Sequence, residues 1–145
     1  MPAKPRPKKD GADSHPMRHT TASIMLAVAV DASERRMGDL GRDMGYGPSN
    51  RSSLSHMASG IHPIPLDRAE TIAAVVGLDV GAFTLAVLHQ RHPDAADALW
   101  KLKGVEHPPV LAEDEARDMR ARLDAEGPAF ARAVMPRMAR ALPWD

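Results

Sequence analysis

From Ile24 onward the apolar residues recur at helical spacing, and no stretch alternates as a strand does. The run from Ile24 to Val30 has no Gly or Pro and lies behind Thr20, Thr21 and Ser23 as N-cap candidates. It fades at Asp31-Ala32-Ser33. Met37, Leu40, Gly41 and Met44 give a second helix that stops at Gly45, and Gly47-Pro48-Ser49-Asn50 reads as a turn. Leu54, Met57 and Ala58 give a short third helix ended by Gly60. Pro63 and Pro65 lead into a fourth, with Leu66, Ala69, Ile72, Ala73 and Val76 on one face and Gly77 after its end. Asp79 caps a fifth, carrying Val80, Phe83, Thr84, Val87 and Leu88.

Beyond His92-Pro93 the spacing predicts a helix over about 94–103 with Leu99, Trp100 and Leu102. A break follows at His107-Pro108-Pro109. A longer helix over about 112–125 shows Ala116, Met119 and Leu123 inside a charged coat. Phe130, Val134, Met138 and Leu142 then step by fours, with Pro136 expected to kink or restart that helix. The first twenty residues are different. Four prolines and five basic residues against two acidic ones, a net of +3, predict a disordered basic arm. The expected division is an arm over 1–20, a helical domain over 21–92 and a helical C-terminal segment over 93–145.

Composition narrows the chemistry. Aromatics are 3% of the chain, so its core is built from Ala, Val, Leu, Ile and Met. Nineteen basic residues balance nineteen acidic ones, which excludes a uniformly basic coat and leaves any anion-binding surface to local distribution. The absence of cysteine excludes disulfides, a thiol nucleophile and Cys-ligated zinc. The longest apolar run is too short to span a bilayer, and Asp10, Asp13 and the prolines argue against a signal peptide, so the expectation is a cytoplasmic, nucleoid-associated protein with no membrane role. The pairs His15/His19 and His89/His92 have ligand-compatible spacing but lack a third ligand pattern, and read as structural or surface histidines. With no phosphate-binding Gly loop, Gly-x-Ser-x-Gly elbow or apolar carboxylate pair, the chain reads as neither an enzyme nor a cofactor protein.

One stretch carries chemistry. Two short helices, a turn and a helix rich in small polar residues follow the order of a helix-turn-helix. Around the inward Leu54, Met57 and Ala58 stand Asn50, Arg51, Ser52, Ser53, Ser55, His56 and Ser59, and nothing acidic occurs between Asp43 and Asp67. Small hydroxyl and amide groups approach base edges closely, and no carboxylate there repels phosphate. The same composition also suits a Ser-rich surface helix, because Ser and Asn favour caps and turns.

The stretches GDLGRDMGY, NRSSLSHMASG and IPLDRAETIAAVVGLDVGAFTLAVL, between Met37 and Leu88, resemble the Cro/C1-type (XRE-like) helix-turn-helix regulators of phage and bacteria. In that resemblance Gly41 takes the small-residue position where the two helices touch, Gly45 the turn and Leu54 the buried position of the recognition helix. It implies an all-α fold: a five-helix DNA-binding domain with, here, a C-terminal helical extension. It also implies a double-stranded DNA partner, with Asn50, Arg51, Ser52, Ser53, Ser55, His56 and Ser59 at or near the groove. The turn between Gly45 and Leu54 is longer than the family's usual one. Arg51 suits a guanine edge or a phosphate, and both roles stay open. Lys8 and Lys9 of the arm suit phosphates or the minor groove, or simple solubility.

The expected function is a sequence-specific transcriptional regulator of bacterial or phage-like genes. The rival is an adaptor or antitoxin-like module using the same helices. The apolar groups of 93–145 must pack on the first domain, on a second copy or on another protein. Family members commonly bind as dimers, so a homodimer is expected, with RNA polymerase or another regulatory protein as the alternative partner.

Overall fold

The computed structural model describes residues 15–47, 52–102 and 110–139. Among these the chain is all-helical, and no strand forms. Eight α-helices follow one another: α1 Thr21–Ser33, α2 Met37–Asp43, α3 Ser53–Ser59, α4 Ala69–Val76, α5 Val80–Arg91, α6 Pro93–Leu102, α7 Glu113–Glu126 and α8 Pro128–Met138. A 3-10 turn over Leu66–Arg68 leads into α4.

The fold is built around α1. Every residue from Thr21 to Val30 is buried, as expected of a helix that is apolar on all sides. Helices α3, α4, α5, α7 and α8 surround it, with α8 making the most extensive contact. Small Ala and Val side chains let these neighbours approach closely. A core so poor in aromatics must be filled that way, with methionines taking up irregular gaps. Ser23, a cap candidate from sequence, lies inside α1 and is fully buried; Thr20 is the N-cap residue and its hydroxyl donates to the Met17 carbonyl at 2.7 Å.

The segment beyond residue 92 completes the same core. Leu111, Ala116, Met119, Leu123, Phe130, Ala131 and Met138 join Leu26, Leu40, Leu54 and Phe83 in one cluster. The Leu111 N–H donates to the Thr21 hydroxyl at 2.8 Å, fixing the approach to α7 against the start of α1. Of the three destinations open to these apolar groups, the structure selects packing on the first domain. On α6, Ala96 and Trp100 are buried while Leu99 and Leu102 remain exposed. Leu142 lies outside the described residues.

Two further expectations need correction. The arm is not free over all of 1–20: residues 15–20 form turns against the body, and Arg18 is buried. The cause is Gly60, whose left-handed backbone (φ 88°) lets the Met17–Arg18 backbone lie where a Cβ belongs, with the Met17 N–H donating to the Gly60 carbonyl at 2.9 Å. Residues 1–14, with Lys8 and Lys9, lie outside the described residues. Secondly, of the kink or restart expected at Pro136, the restart does not occur: α8 runs from Pro128 through it to Met138. Pro136 is in the last turns and exposed, where water can serve the carbonyl its missing N–H leaves unbonded.

The two left-handed helix ends at Gly60 and Gly77 should respond differently to a methyl group. A Cβ at Gly77 meets nothing closer than the Met135 methyl at 3.9 Å, so Gly77→Ala should cost roughly 1–2 kcal/mol of conformational strain. A Cβ at Gly60 meets the backbone of Arg18 and the Met17 carbonyl carbon at 2.7 Å. Gly60→Ala should therefore lose more than about 3 kcal/mol in urea unfolding, the size expected when a structural feature is broken. Equal losses for the two variants would show that residues 17–18 are not held against Gly60.

Candidate nucleic-acid interface

Helix α3 is seven residues long, too short to be stable without its surroundings. Its inner face is Leu54, Met57 and Ala58, all buried. Its outer face carries the residues singled out from sequence: Ser52 and Ser55 are exposed, and Ser53, His56 and Ser59 are half-buried. The Ser59 hydroxyl turns back to the His56 carbonyl at 3.2 Å, which places Ser59 at the margin of the face. The His56 ring meets the His62 ring edge-on, with centroids 5.3 Å apart. Asn50 and Arg51 lie outside the described residues.

The supporting helix α2 buries Leu40 and Gly41. Among the described residues a Cβ at Gly41 would meet Tyr46 Cβ at 4.0 Å, an ordinary contact, and no atom of α3, so no close helix approach there requires the glycine. Arg68 ties that turn to the start of α4. Its guanidinium donates to the Met44 carbonyl and lies over the Tyr46 ring, 5.0 Å from the centroid. On α2 the carboxylates are paired, Asp43 with Arg35 and Asp39 with Arg42 at 3.2 Å.

The C-terminal end of α3 is anchored from several parts of the chain. Five successive carbonyls, from His56 to Gly60, each receive a hydrogen bond. The Ile61 N–H reaches the His56 carbonyl at 2.9 Å and the Gly60 N–H reaches Met57 at 3.3 Å, the two bonds of a Schellman ending. The Ser23 hydroxyl lies 3.1 Å from both the Met57 and Ala58 carbonyls. Arg120 Nη2 donates to the Ala58 carbonyl at 2.8 Å and Arg18 Nη1 to Ser59 at 3.4 Å. The Met17 N–H takes the Gly60 carbonyl. Two guanidinium cations at a helix C-terminus also meet the negative end of its dipole.

Neither arginine stood out in the sequence. Arg18 fell in the expected arm, and Arg120 in the charged coat of α7. A signal was present, however, because the buried face of α7 is Ala116, Met119, Arg120 and Leu123, an apolar stripe with one cation set into it. Gln90 occupies the same kind of position on α5, following Phe83, Ala86 and Val87. It accepts from the Ile64 N–H at 2.8 Å and donates to the Thr20 hydroxyl at 2.7 Å.

The charges under α3 perturb one another. Burial, and then the nearby Arg18, pull Arg120 down to about 10, which leaves it a full cation at neutral pH. Burial raises the Asp31 carboxyl from its ordinary value, Arg120 opposes that shift and Asp124 adds to it. A carboxyl raised in the folded state favours folding while protonated, and that contribution is lost as pH rises through its folded pKa. Asp31→Asn should therefore melt at or above the wild-type temperature at pH 7, with the difference vanishing in acid near pH 3.8, the ordinary Asp value. A variant clearly less stable than wild type at pH 7 would mean that the Asp31 charge supports Arg120 more than it suffers from burial.

What this arrangement offers chemically is a rigidly held, short helix with a hydroxyl-rich outer face and no carboxylate of its own. No protein-family model matches the chain, and neither a curated protein nor a solved structure matches it.

Proposed function

We propose that this chain is a sequence-specific DNA-binding transcriptional regulator that presents the outer face of α3 to the major groove. The observation that carries this reading is the contrast between the two sides of α3. Its inner side and C-terminal end are tied down by core and hydrogen bonds, while the Ser52 and Ser55 side chains are exposed and the Ser52 hydroxyl makes no cap hydrogen bond. In a chain with 26% charged residues, a gap free of Asp and Glu from 44 to 66 suits a polyanionic partner. Arg51, Asn50, Lys8 and Lys9 supply phosphate or base contacts in this reading.

Salt dependence separates this reading from an adaptor or antitoxin-like role. Binding to duplex DNA in a mobility shift should weaken steeply with salt, the log–log slope falling by about 0.9 for each phosphate contacted. Ser55→Asp places a carboxylate on the exposed face. It should cost at least tenfold in affinity, about 1.4 kcal/mol, while stability stays within about 0.5 kcal/mol, as for ordinary surface changes. No DNA binding at low salt by the wild-type protein would favour the adaptor.

The regulator acts as a homodimer in this proposal, and α6 supplies the contact. Ala95, Ala98, Leu99 and Leu102 are all exposed at spacings i, i+3, i+4 and i+7, with Leu99 at 41% and Leu102 at 83%. Antiparallel pairing of two such helices brings Lys101 of one copy near Asp94 of the other, so the charges beside the stripe are self-complementary. Light scattering should give a dimer mass for the full chain and a monomer mass for Leu102→Glu. A monomeric wild-type protein, both free and on DNA, would make the α6 stripe a site for another protein such as RNA polymerase.

A further inference from the structure

Arg120 sits 102 residues along the chain from Arg18 and 62 from Ala58, yet it hydrogen-bonds to both. It is 4% exposed, and a charge so buried persists only where its donors are used. Its Nε donates to the Arg18 carbonyl at 3.0 Å, and its Nη2 donates to the Ser23 hydroxyl at 2.9 Å and the Ala58 carbonyl at 2.8 Å. Those acceptors belong to the segment before α1, to α1 itself and to α3. The ring closes through Arg18, whose side chain reaches the Ser59 carbonyl and also pairs with Asp124, one turn beyond Arg120 on α7.

Apolar burial and hydrogen bonding hold α3 in different ways. Leu54, Met57 and Ala58 bind it to the core and set which side faces inward, but the hydrophobic effect has no direction and tolerates small rotations about the helix axis. A planar guanidinium with donors at fixed angles does not. Reading base edges demands that same fixed orientation, whereas phosphate contacts tolerate small displacements. We infer that Arg120 is the positioning residue of α3, setting the rotation and depth at which its outer face is presented. This rests on the DNA-binding reading above, and it makes α7 part of the reading unit although it lies outside the stretch that resembles a helix-turn-helix.

The test uses full-length protein carrying Arg120→Lys, which keeps the charge but not the fork, and Ser23→Ala, which removes one acceptor of that fork. The probes are a duplex enriched by the wild-type protein from a random library and an unrelated duplex of equal length. Amide hydrogen exchange at residues 57–60 is followed without DNA. Arg120→Lys should lower the preference for the enriched duplex at least tenfold while affinity for the unrelated duplex stays within twofold, and Ser23→Ala should fall between it and wild type. Exchange at 57–60 should quicken in both variants relative to α5. A purely structural role would lower the melting temperature and leave the preference ratio unchanged, and that result overturns the inference. Wild-type exchange rates at 57–60 in both variants overturn it as well, even if Arg120→Lys alone proves too unstable to assay on DNA. Should the wild-type protein enrich no duplex, the DNA-binding reading fails and the inference with it, while quickened exchange would still show that Arg120 holds α3.

Discussion

The end of α3 is a place where five carbonyls in a row find donors within the protein, and much of the molecule is arranged to supply them. Ending a helix inside a protein leaves its last carbonyls without partners in the helix itself. A Schellman turn serves two of them here, and it requires the left-handed Gly60. The rest draw on Met17 and Arg18 before α1, Ser23 within it and Arg120 on α7. Four separate parts of the chain are thereby committed to one another's positions.

Around that point the packing is simple. Helix α1 is apolar on all sides and can be stable only when fully enclosed, so the helices that follow it must form a complete jacket. Within 21–92 only α3, α4 and α5 pack on it, and α7 and α8 complete the cover. The C-terminal helices are therefore a structural necessity of a central helix without a polar face. Their own sequences reflect this: α7 is highly charged outside yet buries Met119 and Leu123, and α8 places Phe130 and Met138 in the core.

Much of this was legible in advance wherever the cause was local. The ends of α4 at Gly77 and of α3 at Gly60, the Asp79 cap bonding to the Ala82 N–H at 2.8 Å, and the extents of α6 and α7 all follow from short-range rules about glycine, capping and periodicity. What escaped had distant causes. Ser23 looks like a cap because caps favour serine, but its partners are 34 and 35 residues away. Arg18 and Arg120 look like surface charges because most arginines are, and their acceptors are carbonyls that no sequence pattern marks. Of the candidate interface, the buried Leu54, Met57 and Ala58 and the exposed Ser52 and Ser55 were readable from helical spacing alone. That Gly41 lies beside Tyr46 and not against α3 depended on the path of the turn.

The missing side chain of Gly60 has a consequence for whatever precedes residue 15. With the Met17 N–H bonded at that glycine, the N-terminal stretch is leashed at the foot of α3 rather than at some remote edge of the body. Nine peptide units separate Lys8 from Met17, a tether of about 30 Å at full extension. The reach of whatever precedes residue 15 is therefore measured from the foot of α3. Within such a volume, a tethered group acts at a local concentration far above that of the protein in solution. One absent methyl group thereby fixes the point from which that tether starts.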